Sequence, residues 1–170
     1  MSLKVINNFD DCLEAISAKH FFIQDGENNQ PAFIKQNDGQ FEVINKTTKD
    51  INFLKVDDCL DFEVDTKKCD CIVFNEETFC FIELKTLQSE KTTIKTKRRK
   101  KAEEQLKVTI NKFADEGLIQ NRQREAYVSL TCIKESTLTN IPNISNQEAI
   151  SDFEMNLDTS LYYKCKKEFN

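Results

Sequence analysis

Three residues whose side chains suit acid–base or metal chemistry lie close together in the middle of the chain. Asp70 interrupts an apolar run at 69–74, and Glu83 and Lys85 end a second apolar run at 79–85. Alternate residues of a β-strand share one face, so Glu83 and Lys85 are expected to point the same way. Charges inside such apolar strands cost free energy unless they bind something or reach solvent. The pattern therefore indicates a functional site.

Two carboxylates held together on a sheet repel each other, and a divalent cation relieves that repulsion. Hard oxygen ligands suit Mg²⁺ or Mn²⁺. Such an ion polarises a phosphate and acidifies bound water, and a nearby Lys stabilises the charge that builds on phosphorus. The three residues thus predict phosphodiester cleavage. The alternative is a structural hairpin that carries a surface Lys–Glu pair and an Asp at its edge.

The elements that must position these residues are a hairpin and a following helix. The two apolar runs, at 68–74 and 79–85, predict strands joined by a tight turn. Apolar residues at helical spacing predict a long helix from Lys95 to Asp115, with Gly117 as its C-terminal stop. A β-rich run at 125–133 predicts a strand, Ser145–Asn156 a helix, and 161–166 a closing edge strand.

The first part of the chain predicts a helix followed by short strands. Phe9, Leu13 and Ile16 have helical spacing, so an opening helix is expected over 9–18. Residues 24–31 have the composition of a loop. Two further segments, 32–36 and 40–45, are expected to pair as a hairpin around Asn37-Asp38-Gly39, and 52–56 is a short strand. The order indicates an α/β fold in which helices flank a mixed sheet.

The central motif resembles a known signature. Asp70, a hairpin turn and Glu83-Leu84-Lys85 resemble the D…(D/E)-x-K motif of the PD-(D/E)XK phosphodiesterase superfamily, which includes restriction endonucleases, Holliday-junction resolvases and exonucleases. The resemblance extends over roughly 9–133, but its specific part is 69–85, and Cys69 stands where the name-giving Pro would be. It implies a restriction endonuclease-like αβββαβ core within a single nuclease-like domain over 1–170.

The resemblance also implies roles for individual residues. Asp70 and Glu83, with the backbone carbonyl of Leu84, would hold Mg²⁺ or Mn²⁺, and Lys85 would be the catalytic lysine. Members often add an acid from the first helix, and Glu14 matches that place. Some members carry a Gln on the helix after the Lys, and Gln105 matches it, although an ordinary polar helix position is an equally simple interpretation.

The resemblance implies cleavage of nucleic acid and favours DNA over RNA as the substrate. By analogy with members of the superfamily, it also suggests a role in defence or DNA processing. The alternatives are a catalytically inactive nucleic-acid-binding or assembly subunit with the same fold, and a small structural domain of a larger complex. In 170 residues there is little room for a separate specificity domain, so a homodimer or a partner subunit is a further hypothesis.

Charge is unevenly distributed along the chain. The formal net charge is −5, with acids concentrated at 57–65, which are expected to form a solvated connection. A basic run follows the motif and predicts either contacts with backbone phosphates or a solvated start to the helix. This run consists of Lys91, Lys95, Lys97, Arg98, Arg99, Lys100 and Lys101.

Cysteine and histidine usage narrows the chemistry further. The chain has 7 Cys without C-x-x-C pairs and shows no signal peptide, so free thiols and a cytoplasmic location are expected. No stretch approaches the roughly 20 apolar residues of a membrane span, so no membrane partner is expected. A single His argues against His-dependent nuclease sites.

Overall fold

The computed structural model describes residues 6, 8–61, 67–87, 92–134, 137–140 and 146–170. Over this part of the chain the fold is α/β, with two helices, eleven strands and a 3-10 turn at Asp10–Cys12. The helices are α1 (Thr92–Asp115) and α2 (Gln147–Leu157). The strands are β1 (Leu13–Ile16), β2 (His20–Gln24), β3 (Phe33–Lys35), β4 (Phe41–Asn45), β5 (Ile51–Lys55), β6 (Cys71–Phe74), β7 (Thr78–Leu87), β8 (Gln123–Lys134), β9 (Thr137–Asn140), β10 (Ser160–Tyr162) and β11 (Lys166–Phe169).

The strands form two sheets. The large sheet has the order β1-β5-β6-β7-β8-β10, with β9 paired to β8, and the small sheet has the order β11-β4-β2-β3. Within the large sheet β5, β6 and β7 are antiparallel neighbours, whereas β7 and β8 are parallel and are connected through α1. The large sheet is therefore mixed, as the hairpin followed by a helix and a strand predicts.

Two cores cover the two faces of the large sheet. On one face, Phe79 and Phe81 of β7 contact Phe113 of α1, with ring centroids 5.9 and 5.7 Å from it. On the other face, Cys80 and Ile82 of the same strand pack into a core shared with the small sheet. The alternation of β7 thus separates a helix face from an inter-sheet face, with apolar side chains on both.

The expectation of an opening helix over 9–18 is wrong. The segment forms a single 3-10 turn and then β1, whose Leu13 lies opposite Leu54 of β5. Leu13 packs against the helix-face core and Ile16 against the inter-sheet core. A spacing of three gives one face of a helix but opposite faces of a strand, and the strand is suitable here because each face of the large sheet has a core.

The expected hairpin over 32–45 is also wrong in its pairing. Strands β3 and β4 both exist, but each pairs with β2, which lies between them and was not predicted. Gly39 is needed for packing, since a Cβ there would lie 2.8 Å from the Cβ of Phe22. The 161–166 strand is likewise replaced by two strands, β10 and β11, in different sheets.

The remaining elements confirm the predictions. The β6–β7 hairpin, β5, α1, β8 and α2 lie where the sequence places them, although α1 begins at Thr92. Gly117 has a φ of +69°, the left-handed conformation of a helix stop. Ser145, the first residue of the predicted second helix, lies outside the described residues. Helices flank only one face of the large sheet in the described ranges, because the small sheet covers the other.

Cys12 and Cys59 form a disulfide that ties the 3-10 turn to the segment after β5, so the expectation of free thiols is wrong for this pair. Cys69, Cys71, Cys80 and Cys165 are free.

Replacing Cys12 and Cys59 together by Ser is expected to lower Tm, because the bridge joins residues 47 apart in sequence and stabilises by up to about 4 kcal/mol in the chain-entropy model. Cys165→Ser serves as the control. Thiol titration of the unreduced, denatured protein is expected to leave two of the 7 cysteines unreactive. Titration of all of them would contradict the bridge.

Candidate active site

The pairing of β6 and β7 brings the two acidic side chains together. Cys71 lies opposite Ile82, and the next position along places Asp70 beside Glu83. The Asp70 N–H donates to the Ile82 carbonyl and to Glu83 Oε2, each at 3.1 Å. Asp70, directly before β6, and Glu83, on β7, are therefore neighbours in the centre of the large sheet.

Regular strand pairing ends at Asp70, where a side chain replaces a backbone acceptor. Asp70 Oδ2 accepts the Leu84 N–H at 2.6 Å. The Asp70 carbonyl accepts from both the Val56 and the Asp57 N–H, at 3.1 and 3.2 Å, so two residues after β5 face one residue before β6. This arrangement is that of a β-bulge, a feature that re-aims side chains. It fixes the Asp70 carboxylate beside the Leu84 backbone.

Lys85 lies on the same face as Glu83, as the alternation predicts. Its Nζ is 2.6 Å from Glu83 Oε1, and the two side chains are 12% and 0% exposed. Asp70 is 7% exposed, and its strand lies between β5 and β7 rather than at an edge. The alternative of a surface Lys–Glu pair with an edge Asp does not fit this burial.

Burial controls the ionisation of both acids. Removal from water raises the pKa of Glu83 to about 7, against the opposing effect of the Lys85 ammonium. Burial also raises the pKa of Asp70 well above its usual value, and the negative charges of Glu83 and Asp25 add to that effect. One ammonium thus faces two buried carboxyl groups, and added positive charge would favour the ionised form of both.

Two further acids lie near this group, and sequence reasoning missed them as site residues. The charges of Asp25, directly after β2, and Asp57, after β5, both raise the pKa of Glu83. Each is partly buried, and burial raises its own pKa. Within the segment predicted as a solvated connection, Asp57 is half-buried, whereas Asp58 and Asp61 are exposed. An acid that directly follows a strand is a sequence signal for such a position. For Asp25 the signal could be used only if β2 was predicted, and it was not.

Gln105 lies on α1, as expected, and contacts the segment that leads to Asp70. Its Nε2 donates to the Lys68 carbonyl at 3.0 Å, and the next turn of the helix supplies Thr109 Oγ1 as the acceptor for the Cys69 N–H. Gln105 Oε1 is buried and has no hydrogen-bond partner in the described structure. No hydrogen bond among the described residues joins Gln105 to Asp70, Glu83 or Lys85.

The structure does not bring Glu14 to the site. Because the segment forms β1 rather than a helix, Glu14 lies opposite Phe53, whose side chain packs in the inter-sheet core. Glu83 follows Phe81 on the helix face instead. The Glu14 side chain is 47% exposed and binds Lys55 Nζ at 3.3 Å. The assignment of Glu14 as a metal ligand is wrong.

The basic run occupies the first half of α1. Arg99 is ion-paired with Glu103 at 3.6 Å and is only 16% exposed, whereas Lys97, Arg98, Lys100 and Lys101 lie on the outer side of the helix. Positions 95–101 precede Gln105 by four to ten residues, or roughly 6–15 Å along the helix axis. The exposed cations at 97–101 therefore lie about one to two helical turns before Gln105. Lys91 lies outside the described residues.

The donor set suits a hard cation that keeps part of its water shell. Mg²⁺ is commonly held by one or two carboxylates with several waters. Asp70, Glu83 and the Leu84 carbonyl match that demand, although in the described ranges no three His, Cys, Asp or Glu side chains form a ready metal cluster. Cys69, Cys71 and Cys80 are fully buried, and burial raises their pKa well above the usual value, as in packed structural thiols.

No protein-family model, curated protein or solved structure matches this chain. Neither described helix is both long and apolar enough to cross a lipid bilayer.

Glu83 contributes one part of the pH dependence of stability, beside the other buried acids whose pKa values are raised. Between about pH 4.5 and pH 7 the folded protein retains a proton on Glu83 that the unfolded chain has released. The raised pKa therefore makes metal-free stability fall as pH rises through this interval, by up to about 3 kcal/mol. Glu83→Gln is expected to remove this dependence, so the variant gains on the wild type from pH 5 to pH 8.

Urea unfolding without metal, at pH 5 and at pH 8, gives the free energy of unfolding of the wild type and of Glu83→Gln. The variant also loses the carboxylate that pairs with Lys85. Because any part of that loss that does not depend on pH is the same at both pH values, it cancels in the comparison. Glu76→Gln is the control, since Glu76 is exposed and its pKa is lowered by Lys49. If the free energies of unfolding of wild type and Glu83→Gln differ by the same amount at pH 5 and pH 8, the raised pKa of Glu83 is contradicted.

Proposed function

We propose that the chain is a Mg²⁺- or Mn²⁺-dependent nuclease of the PD-(D/E)XK type that cleaves phosphodiester bonds, in DNA in preference to RNA. The observation that carries the proposal is the convergence of Asp70, Glu83 and Lys85 in one buried group on β6 and β7. These are the residue types and spacing of the signature, held in a single geometry by strand pairing.

The arrangement of elements also supports the proposal. Strands β5, β6 and β7 run antiparallel, α1 follows, and β8 returns parallel to β7. This order matches the βββαβ portion of the core that the resemblance implies. The first helix of that core has no counterpart in the described residues, where the 3-10 turn and β1 occupy its place in sequence.

In this proposal each group has a defined task. Asp70 and Glu83, when ionised, and the Leu84 carbonyl hold the cation. The cation supplies Lewis acidity toward a phosphate and lowers the pKa of water. Lys85 keeps its positive charge beside Glu83 and stabilises the negative charge that grows on the phosphate oxygens. The outer cations of α1 hold the nucleic-acid backbone nearby.

Cleavage assays test the assignment. Plasmid, linear duplex and single-stranded DNA are incubated with Mg²⁺ or Mn²⁺ and either the wild type, Asp70→Asn or Lys85→Met. Both variants are expected to lose at least about 100-fold in rate, because one removes a cation ligand and the other a charge-stabilising group. Asp38→Asn, at an exposed acid of the small-sheet region, controls for charge. Cleavage that persists in both variants would remove the assignment.

The basic half of α1 has its own test. Changing Lys97, Arg98, Lys100 and Lys101 together to Ala is expected to weaken DNA binding and to make its salt dependence shallower, by up to about 0.9 in log–log slope for each phosphate that is no longer neutralised. A matched variant removes four lysines whose side chains already have partners. These are Lys19, Lys46, Lys49 and Lys166. Equal effects of the two variants would reject the helix as the phosphate-binding surface.

A second candidate function follows from the pairing of Glu83 with Lys85. A Glu side chain that is 0% exposed and neutralised by its own Lys is also a stable arrangement without a metal. This observation favours a nucleic-acid-binding subunit that has kept the fold without catalysis. Salt-dependent DNA binding without cleavage in Mg²⁺ or Mn²⁺ would support that function in place of the nuclease.

A further inference from the structure

A hydroxyl group lies in the apolar stripe of α1 that faces the large sheet. It belongs to Thr109, which is 0% exposed. Buried apolar side chains of the same helix pack into the core on this face, and these are Ala102, Leu106, Ile110 and Phe113. A polar group in such surroundings costs free energy unless it is hydrogen-bonded. The position therefore requires a partner for the hydroxyl.

The Thr109 hydroxyl makes two hydrogen bonds, one within its own helix and one to the segment before β6. Its Oγ1 donates to the Gln105 carbonyl at 2.9 Å, one helical turn back, and accepts the Cys69 N–H at 2.8 Å. A hydroxyl has a single proton and two lone pairs. Because the bond to Gln105 uses the proton, the helix itself directs a lone pair toward Cys69.

The Cys69 N–H needs this acceptor because the sheet does not supply one. Cys69 is 0% exposed and lies two residues before β6, beyond the last regular pair of the β6–β7 ladder, Cys71 with Ile82. A buried backbone N–H that loses its only acceptor costs the full desolvation of that group. Thr109 thus takes over from the ladder at the point where regular pairing ends.

The bonds from α1 fix the backbone that enters Asp70. Gln105 Nε2 donates to the Lys68 carbonyl at 3.0 Å, so two successive residues before Asp70 are bound to the helix. Asp70 itself is bound to β7 through the Ile82 carbonyl and the Leu84 N–H. Since the intervening peptide group is planar and stiff, a shift of the bound segment would move the Asp70 side chain.

We propose that Thr109 is a positioning residue of the cation site. Its hydroxyl fixes Cys69 and thereby holds the Asp70 carboxylate where it can bind the divalent ion, and Thr109 itself does not touch that ion. This inference rests on the proposed function, because only there is Asp70 a cation ligand. It also gives α1 two tasks, since the first half of the helix carries the outer cations and the second half positions Asp70.

Two substitutions at this position separate the hydroxyl from the rest of the side chain. Thr109→Val removes the hydroxyl at similar volume, and Thr109→Ser keeps it. Calorimetry below the Tm of each variant measures Mn²⁺ affinity. Thr109→Val is expected to weaken binding about 10–100-fold, the range for groups that orient a metal ligand. Thr109→Ser is expected to restore most of the affinity. Thr109→Val is also expected to lower Tm, because the Cys69 N–H loses its acceptor.

Thr159→Val is the matched control for a buried hydroxyl outside the site. Thr159 is 2% exposed, lies between α2 and β10, and donates its hydroxyl proton to the Leu157 carbonyl at 2.8 Å. This variant is expected to lower Tm and to keep wild-type Mn²⁺ affinity. If Thr109→Val behaves in the same way, or if Thr109→Ser binds Mn²⁺ as weakly as Thr109→Val, the positioning role is overturned while the proposed function stands.

Two further comparisons complete the test. Should Thr109→Val not fold, Thr109→Ala against Thr109→Ser isolates the same hydroxyl, and equal Mn²⁺ affinity of these two variants would overturn the inference. Wild-type protein that binds no Mn²⁺, or that binds it equally well after Asp70→Asn, would overturn the proposed function and this inference with it.

Discussion

The candidate site depends on one hydrogen bond, from the Leu84 N–H to the carboxylate of Asp70. At this point a side chain takes the place of a backbone acceptor, and β6 ceases to pair regularly with β7. The bond is buried, so its loss would leave the Leu84 N–H without a partner and cost the full desolvation of that group. It also orients Asp70 in relation to Glu83. The same hydrogen bond therefore ends the regular strand pairing and sets the geometry of the site.

The surrounding core makes this unfavourable cluster of charges tolerable. Apolar residues fill both faces of β7 up to Glu83, so the strand is fixed by packing before the charges begin. Next to this packed region lie two carboxyl groups with raised pKa values and one ammonium, those of Asp70, Glu83 and Lys85. Replacing a buried ionic group by apolar residues often stabilises a protein. Under the proposed function, this charge is kept available for the divalent cation.

The elements with local and strongly apolar patterns were predictable from the sequence. The β6–β7 hairpin, the helix stop at Gly117 and β8 each have a signal within a few residues, and all are observed. The joint placement of Asp70, Glu83 and Lys85 followed from strand alternation and a short turn. These predictions needed no knowledge of the distant parts of the chain.

The features that could not be predicted depend on long-range pairing. Strand β2 lies between β3 and β4, a position that no pattern within 32–45 reveals, and β11 pairs with β4 from the far end of the chain. Glu14 was misplaced and Asp25 was missed through these errors, since each depended on a neighbouring element.

The small sheet contacts the large sheet through buried hydrogen bonds at strand ends as well as through apolar packing. A helix packed on a sheet presents one residue every three or four positions, whereas a second sheet presents the loops at its strand ends. Here the end of β2 is fixed by Gln40 to Thr86, so a loop residue acquires the positional precision of a strand residue. This buried bridge through Gln40 uses only main-chain atoms of Asp25. Replacing the Asp25 side chain therefore leaves the hydrogen bonds between the two sheets in place.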